Sequence, residues 1–156
     1  MVVMLLALGG AALWLWQMVQ PRRVNGVSPI PTTIGVSPAA TVRLYFGNRL
    51  ADPKGLNCSE VYPAERAVRA DLAQPRQALD LLLAGPTAGE QALGFVSSLP
   101  AGSRVEEFAV RGDTALVTLV APGATAGSCL ATAIRAQMIQ TLRQFPSIRA
   151  VTLVLN

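Results

Sequence analysis

The period of the apolar positions changes repeatedly after residue 40, and each change marks an element. Residues 41–46 alternate, with Val42, Leu44 and Phe46 on one side and Arg43 and Tyr45 on the other, which predicts a half-buried strand. Residues 47–60 read as a polar loop and 61–68 as a short extended piece. The spacing then turns helical over 72–84: Ala78, Leu79 and Leu82 share a stripe, Pro75 falls in the first turn, and Gly85-Pro86 stops the helix. Residues 87–95 predict one further helical turn. Segments 104–111 and 114–120 flank Gly112-Asp113 as a hairpin, its buried face made of Val110, Ala115, Val117 and Leu119. After a loop at 123–127 comes the clearest helix, 128–144. At about 100° per residue, Leu130, Ala131, Ile134, Met138, Thr141, Leu142 and Phe145 fall within roughly 120° of arc. Arg135, Gln140, Arg143 and Gln144 lie outside it. Pro146 ends this helix, and 148–155 is the last strand. The order β-α-β-β-α-β predicts an α+β domain with two helices on one face of a four-stranded mixed or antiparallel sheet. Its other face is left to solvent or a partner.

The first 19 residues show no such alternation and carry no charged side chain. As a helix they would be about 28 Å long, enough to cross the hydrocarbon core of a bilayer. Trp14 and Trp16 fall near the end of the run, where amphipathic rings sit at the interface, and Arg22 and Arg23 follow. A cleaved signal peptide would need small residues after the run, where the chain reads Gln17-Met-Val-Gln-Pro-Arg-Arg23. A lipoprotein would need a cysteine there, and the first is Cys58. Residues 1–19 are therefore read as an uncleaved, single-pass transmembrane anchor. Basic residues usually precede such a run, so a start upstream of Met1 is also considered. Residues 20–40 hold four prolines and two glycines with no apolar face, as a semi-extended linker does. The domain occupies 41–156.

Composition narrows the chemistry. The chain has no histidine. This excludes serine–histidine and cysteine–histidine catalysis and histidine-containing zinc sites. No catalytic residue, cofactor or metal is expected, and the reading is not an enzyme. Glu106 and Glu107 are adjacent on a strand and would point to opposite faces, so they form no facing carboxylate pair. The net charge is +4, but from residue 41 on eleven basic side chains meet nine acidic ones without a basic run. Nucleic acid is not an expected partner. Leu44-Tyr-Phe-Gly-Asn-Arg-Leu50 resembles the first-strand motif of the RNA-recognition fold, yet 114–120, where the second stacking platform belongs, has no aromatic residue.

Two residues of the 128–144 helix lie off its stripe. Ile139 is either an ordinary exposed apolar residue or part of a contact patch. Cys129 is either a free thiol or the disulfide partner of Cys58, and the disulfide is preferred. Such a bond would pin the 47–60 loop to a helix end, contributing about 4 kcal/mol. It would also require an oxidising compartment. Arg22 and Arg23 argue the reverse, since the positive-inside rule would keep the domain in the cytoplasm. The cysteine pair is given more weight, and the domain is expected outside the cell membrane.

From Val42 to its end the chain resembles the GerMN domain, named from a spore-germination protein. The likeness lies in the order and spacing of 41–46, Val61-Tyr-Pro-Ala-Glu-Arg-Ala-Val68, Ala78-Leu-Asp-Leu-Leu-Leu-Ala-Gly-Pro86 and Leu99-Pro-Ala-Gly-Ser103. It continues through Gly112-Asp113, Gln137-Met-Ile-Gln-Thr-Leu-Arg-Gln-Phe-Pro146 and Val151-Thr-Leu-Val-Leu-Asn156. The resemblance implies a membrane-tethered, extracytoplasmic domain without known catalysis, some members acting in spore-envelope assembly. It also implies a fold like the ring-building modules of secretion machines. Among the matched residues, Pro63 lies in an extended piece, Gly85 and Pro86 end a helix, and Pro100 and Gly102 shape a turn. Phe145 anchors a helix ahead of Pro146. Arg66 would pair with a carboxylate or bind a ligand, the ion pair being favoured. Members usually continue past Asn156 through a glycine, so a clipped or frayed last strand is expected.

These readings converge on a non-catalytic, tethered cell-envelope domain that binds proteins or wall components in an assembly or scaffold role. Envelope proteins, peptidoglycan and further copies of the chain are the partners considered, with the membrane held by the N-terminal helix. The alternatives are a small-ligand sensor, which needs a deep apolar pocket, and an accessory subunit of an envelope enzyme.

Overall fold

The computed structural model describes residues 39–156, which fall within the compact unit Val36–Asn156. The expected anchor at 1–19 and the linker as far as residue 38 lie outside the described residues. Among the described residues, no helix is long and apolar enough to cross a membrane. The chain forms β1 (Ala39–Asn48), β2 (Tyr62–Arg69), α1 (Gln74–Ala84), α2 (Ala88–Ala92), β3 (Phe95–Val96), β4 (Arg104–Arg111), β5 (Thr114–Val120), α3 (Cys129–Arg143) and β6 (Ala150–Leu155). Ala39 and Ala40, expected as linker, open the first strand.

The expectation of one four-stranded sheet is corrected: the strands make two sheets of three, in the orders β2-β1-β3 and β4-β5-β6. Two segments account for the difference. The piece at 61–68 is a full strand, antiparallel to β1 from Ala39↔Arg69 to Phe46↔Tyr62. The helical turn expected over 87–95 divides into α2 and the short β3, which pairs with Gly47 and Asn48. Gly94 makes that break. Its φ is +88°, and a Cβ there would meet Asn48 Oδ1 and Leu50 Cγ, each at 2.7 Å.

One core serves both sheets. Val42, Leu44 and Phe46 of β1 are buried, with Ala64 and Val68 of β2, Ala78, Leu79 and Leu82 of α1, and Ile134, Met138 and Leu142 of α3. From the second sheet come Ala115, Val117, Leu119 and Leu153. Helix α3 packs on both β1 and β6, and α1 packs on β1, β2 and α3. The β4–β5 hairpin turns at Gly112, whose φ of +61° suits the first position of a type II′ turn. Val110, expected in the core, pairs with Ala115 near the hairpin end and is exposed. Val105 and Phe108 are the half-buried residues of β4 that pack on the core instead. A register shift between Val105 and Glu107 leaves Glu106 and Glu107 both exposed. The last strand is not frayed: the Asn156 amide donates to the Leu119 carbonyl (2.9 Å) and its carbonyl accepts from the Ala121 amide (2.9 Å).

Polar side chains of α3 and of its C-cap residue Gln144 close two strand edges. Gln144 clasps Arg43 of β1: the Arg43 amide donates to its Oε1 (2.8 Å), and its Nε2 donates to the Arg43 carbonyl (2.6 Å). The Tyr45 amide donates to Thr141 Oγ1 (3.1 Å). Backbone groups of alternate residues point to opposite strand edges. Arg43 and Tyr45 therefore turn away from β2, where a further strand would otherwise add. Helical side chains occupy that edge. On the opposite side of α3, Arg135 donates to the Leu153 carbonyl (2.9 Å), on the edge of β6 away from β5.

Candidate functional site

The features that set this domain apart from a plain α+β core gather where β1 ends. The β1–β2 loop, α2, β3 and the first turn of α3 meet there. Asn48 organises the corner. Its Oδ1 accepts from the Leu50 amide (2.8 Å) and the Ala51 amide (3.1 Å), while its Nδ2 donates to the Leu93 carbonyl (3.1 Å). The Arg49 amide adds a bond to the Gly94 carbonyl (2.8 Å). Further along the loop, Asp52 accepts from the amides of Leu56 (3.4 Å) and Asn57 (3.3 Å). Its far end is covalent: Cys58 and Cys129 form a disulfide with 5.3 Å between Cα atoms, across 71 residues of sequence. Tyr62, at the start of β2, donates to Glu60 (2.8 Å), and that hydrogen bond raises the phenol above its ordinary pKa.

Arg66 ties β2 to α2. Its Nε donates to Glu90 Oε1 (2.8 Å), its Nη2 to Glu90 Oε2, and Nη2 also reaches the Gly85 carbonyl (3.3 Å). Both side chains are largely buried, at 17% and 15% exposure. Glu90 also completes the capping box of α2: it accepts from the Thr87 amide (2.7 Å), and its own amide donates to Thr87 Oγ1 (3.3 Å). The Arg66 hydrogen bonds lower the Glu90 carboxyl below its ordinary pKa, with burial opposing and Thr87 assisting. The arginine is held above its own ordinary value by the same contact. The Nε and Nη2 donors of Arg66 and the amides of Thr87 and Glu90 are all turned onto protein groups, as in a structural tie.

The other expected positions are dispersed. Gly85 caps α1 with a φ of +77°, and Pro86 follows it, half-buried. Pro100 and Gly102 shape the turn closed by the Ser103 amide on the Pro100 carbonyl (3.1 Å). Phe145 is buried beyond α3, Pro146 is exposed, and Pro63 is exposed on β2. Ile139 is half-buried on α3. The structure unites Cys58 with Cys129 and Arg66 with Gly85; it does not assemble these positions into one cleft.

Sequence reasoning passed over Glu90, although Thr87-Ala-Gly-Glu90 carries the threonine and glutamate spacing of a capping box. It also passed over Gln137, fully buried on the α3 stripe. The Ser98 amide donates to Gln137 Oε1 (3.3 Å), and Gln137 Nε2 donates to Ser98 Oγ (3.1 Å). Nothing in the spacing separates such a glutamine from a solvated one.

Among the hollows in the described surface are three bordered by these strands and helices. One of about 430 Å³ lies between β2 and α1, lined by Ala67, Val68, Arg69, Gln77, Asp80 and Leu81 with Ala39. A second, about 180 Å³, lies under the disulfide-tied loop. The third, about 360 Å³, runs beside β3 and is lined by Arg49, Pro86, Gln91 and residues 94–97. Exposed leucines surround this corner: Leu50 (70%), Leu56 (80%) and Leu93 (64%). Among the described residues, no group of three histidine, cysteine, aspartate or glutamate side chains is placed to hold a metal ion.

A family model described as Germane, sporulation and spore germination, matches residues 43–156. Among solved structures, the first GerMN domain of the Bacillus subtilis sporulation protein GerM is 22% identical with a TM-score of 0.51. That match covers 75% of this chain and 83% of that one. The tandem GerMN domains of the same protein match at 20% identity and a TM-score of 0.52, over 76% of this chain and 40% of that one. A putative lipoprotein from Clostridium perfringens is 18% identical over 76% of this chain and 75% of its own, with a TM-score of 0.44. No curated protein matches the chain. At these identities the structural likeness establishes the fold alone.

Proposed function

The chain belongs to the Germane family of sporulation and spore germination, the GerMN-type domains, and on that premise we propose that it is a non-catalytic, membrane-tethered binding domain of the cell envelope. The observation that carries the reading is the Cys58–Cys129 disulfide. A disulfide across so long a stretch of chain persists in an oxidising compartment, which supports a domain outside the cytoplasm. The apolar, uncharged run at 1–19 supplies an anchor in this reading, and the proline-rich segment after it a spacer. Tethering raises the local concentration of the domain at the membrane, so a modest contact surface suffices for binding. The corner described above favours binding over chemistry: its carboxylates and its arginine tie are engaged in holding loops, and Leu50, Leu56, Leu93 and Arg49 are exposed around it.

Crosslinking the full chain in intact cells tests this. Discrete adducts with a second envelope protein or with peptidoglycan are expected. A chain that stays monomeric, without adducts at any crosslinker length, would contradict it.

A further inference from the structure

Among the described residues, the strand edges other than that of β3 carry side chains, a bulge or exposed charges that hinder pairing along all or part of their length. On the outer edge of β2, Pro63 has no amide to donate, and Gln77 clasps Arg69 through both its amide (3.0 Å) and its carbonyl (2.8 Å). The outer edge of β4 has a bulge and the exposed charges Arg104, Glu106, Glu107 and Arg111. Arg135 meets the edge of β6, and α3 covers that of β1. β3, only two residues long, carries no such group on its outward side. The Arg49 amide bonds the Gly94 carbonyl and Gly47 pairs with Val96, so residues 94 and 96 face β1. By alternation, the amides and carbonyls of Phe95 and Ser97 face outward, and none has a partner among the described residues. They open onto the hollow of about 360 Å³ lined by Arg49, Pro86, Gln91, Phe95, Val96 and Ser97. Arg49 is exposed and makes no ion pair among the described residues. Leu50 and Leu93 form an apolar rim beside it.

We propose that β3 is a strand-addition site. Its occupant is an extended segment of another envelope protein, which hydrogen-bonds to Phe95 and Ser97, places a glutamate or aspartate side chain on Arg49, and lays apolar side chains against Leu50 and Leu93. Charge selects the occupant. The chain's own residues 1–38 contain no carboxylate side chain, so the spacer of a second copy lacks the group that Arg49 calls for. The inference rests on reading the domain as a binding module. Its failure would leave the membrane topology of the chain, which thiol labelling measures, unaffected.

The test uses the full nitrogen-15-labelled chain in detergent micelles. The probe is a pool of acetylated, amidated hexapeptides alternating aliphatic residues with threonine and one glutamate. Saturable shifts are expected at the Phe95 and Ser97 amides, with those of Glu65 and Ala67 on β2 unmoved. Replacing the peptide glutamate by glutamine, or Arg49→Glu in the domain, should weaken binding about tenfold, the size of one charge-assisted hydrogen bond. Ser97→Pro should abolish it by removing an outward donor. If that variant does not fold, Arg49→Glu decides alone, being an exposed substitution. Absence of shifts at β3, equal binding of the glutamine pool, or tighter binding of a peptide of residues 26–38 would each overturn the proposal.

Discussion

The two sheets face one core, yet apart from β3 their edges are closed by different chemistry. In the first sheet the closure is by paired amides: Gln144 holds both backbone groups of Arg43, and Gln77 holds both of Arg69. In the second it comes from a bulge, exposed charges and the single bond from Arg135 to the Leu153 carbonyl. A glutamine that satisfies a donor and an acceptor together substitutes for a missing strand, whereas a bulge or a charge only discourages one. The first sheet is thus stitched to the helices by two glutamines, the second by one arginine. The disulfide also starts in the loop between β1 and β2, and the Arg66–Glu90 tie starts on β2.

That contrast gives a ranked set of expectations. The largest effect should come from the disulfide: Cys58→Ser with Cys129→Ser should lower unfolding stability by about 4 kcal/mol in urea denaturation, and reductant should reproduce the loss in the parent chain. Next is Arg66→Ala, which leaves Glu90 short of its main partner and should cost about 2 kcal/mol. The same tie sets a pH dependence. Glu90 has a lower pKa folded than unfolded, so its contribution is fully present above its ordinary value of 4.5 and is lost as pH falls through the depressed folded value. Denaturation midpoints of the parent chain should therefore fall on acidification in that range, and those of Arg66→Ala should fall less. Gln144→Ala should cost about 1 kcal/mol and speed hydrogen exchange at the Arg43 amide. Arg135→Ala should cost less than Gln144→Ala, since it removes one bond from a carbonyl. Smallest of all, Glu106→Gln breaks an exposed pair with Arg104 and should change stability by less than about 0.5 kcal/mol. A Gln144→Ala effect no larger than that of Glu106→Gln would erase the distinction between the sheets.

The faces of this fold were legible in its sequence and the edges were not. Alternation at Val42, Leu44 and Phe46 identifies the buried side of β1 because burial demands apolar atoms at every second position. The helical stripe through Ile134, Met138 and Leu142 is readable for the same reason. Edges depend on single amides. Gln137, Gln144 and Gln77 have the composition of solvated helix positions, and only the placement of β1, β2 and Ser98 shows what they bind. The division into two sheets was therefore invisible to periodicity. So was the short β3, whose two residues carry no period at all. The disulfide was readable because the chain has only two cysteines. Glu90 was readable in principle through its capping box, but its second partner, Arg66, lies 24 residues away and comes near only through the pairing of β2 with β1.

The central claim is that this surface is locked by a disulfide and displayed outside the cytoplasm. Intact cells treated with a membrane-impermeant maleimide, with and without prior exposure to an impermeant reductant, test it directly. The account predicts no labelling of the untreated chain, and labelling of both Cys58 and Cys129 after reduction. Two free thiols that react only once the membrane is permeabilised would contradict it.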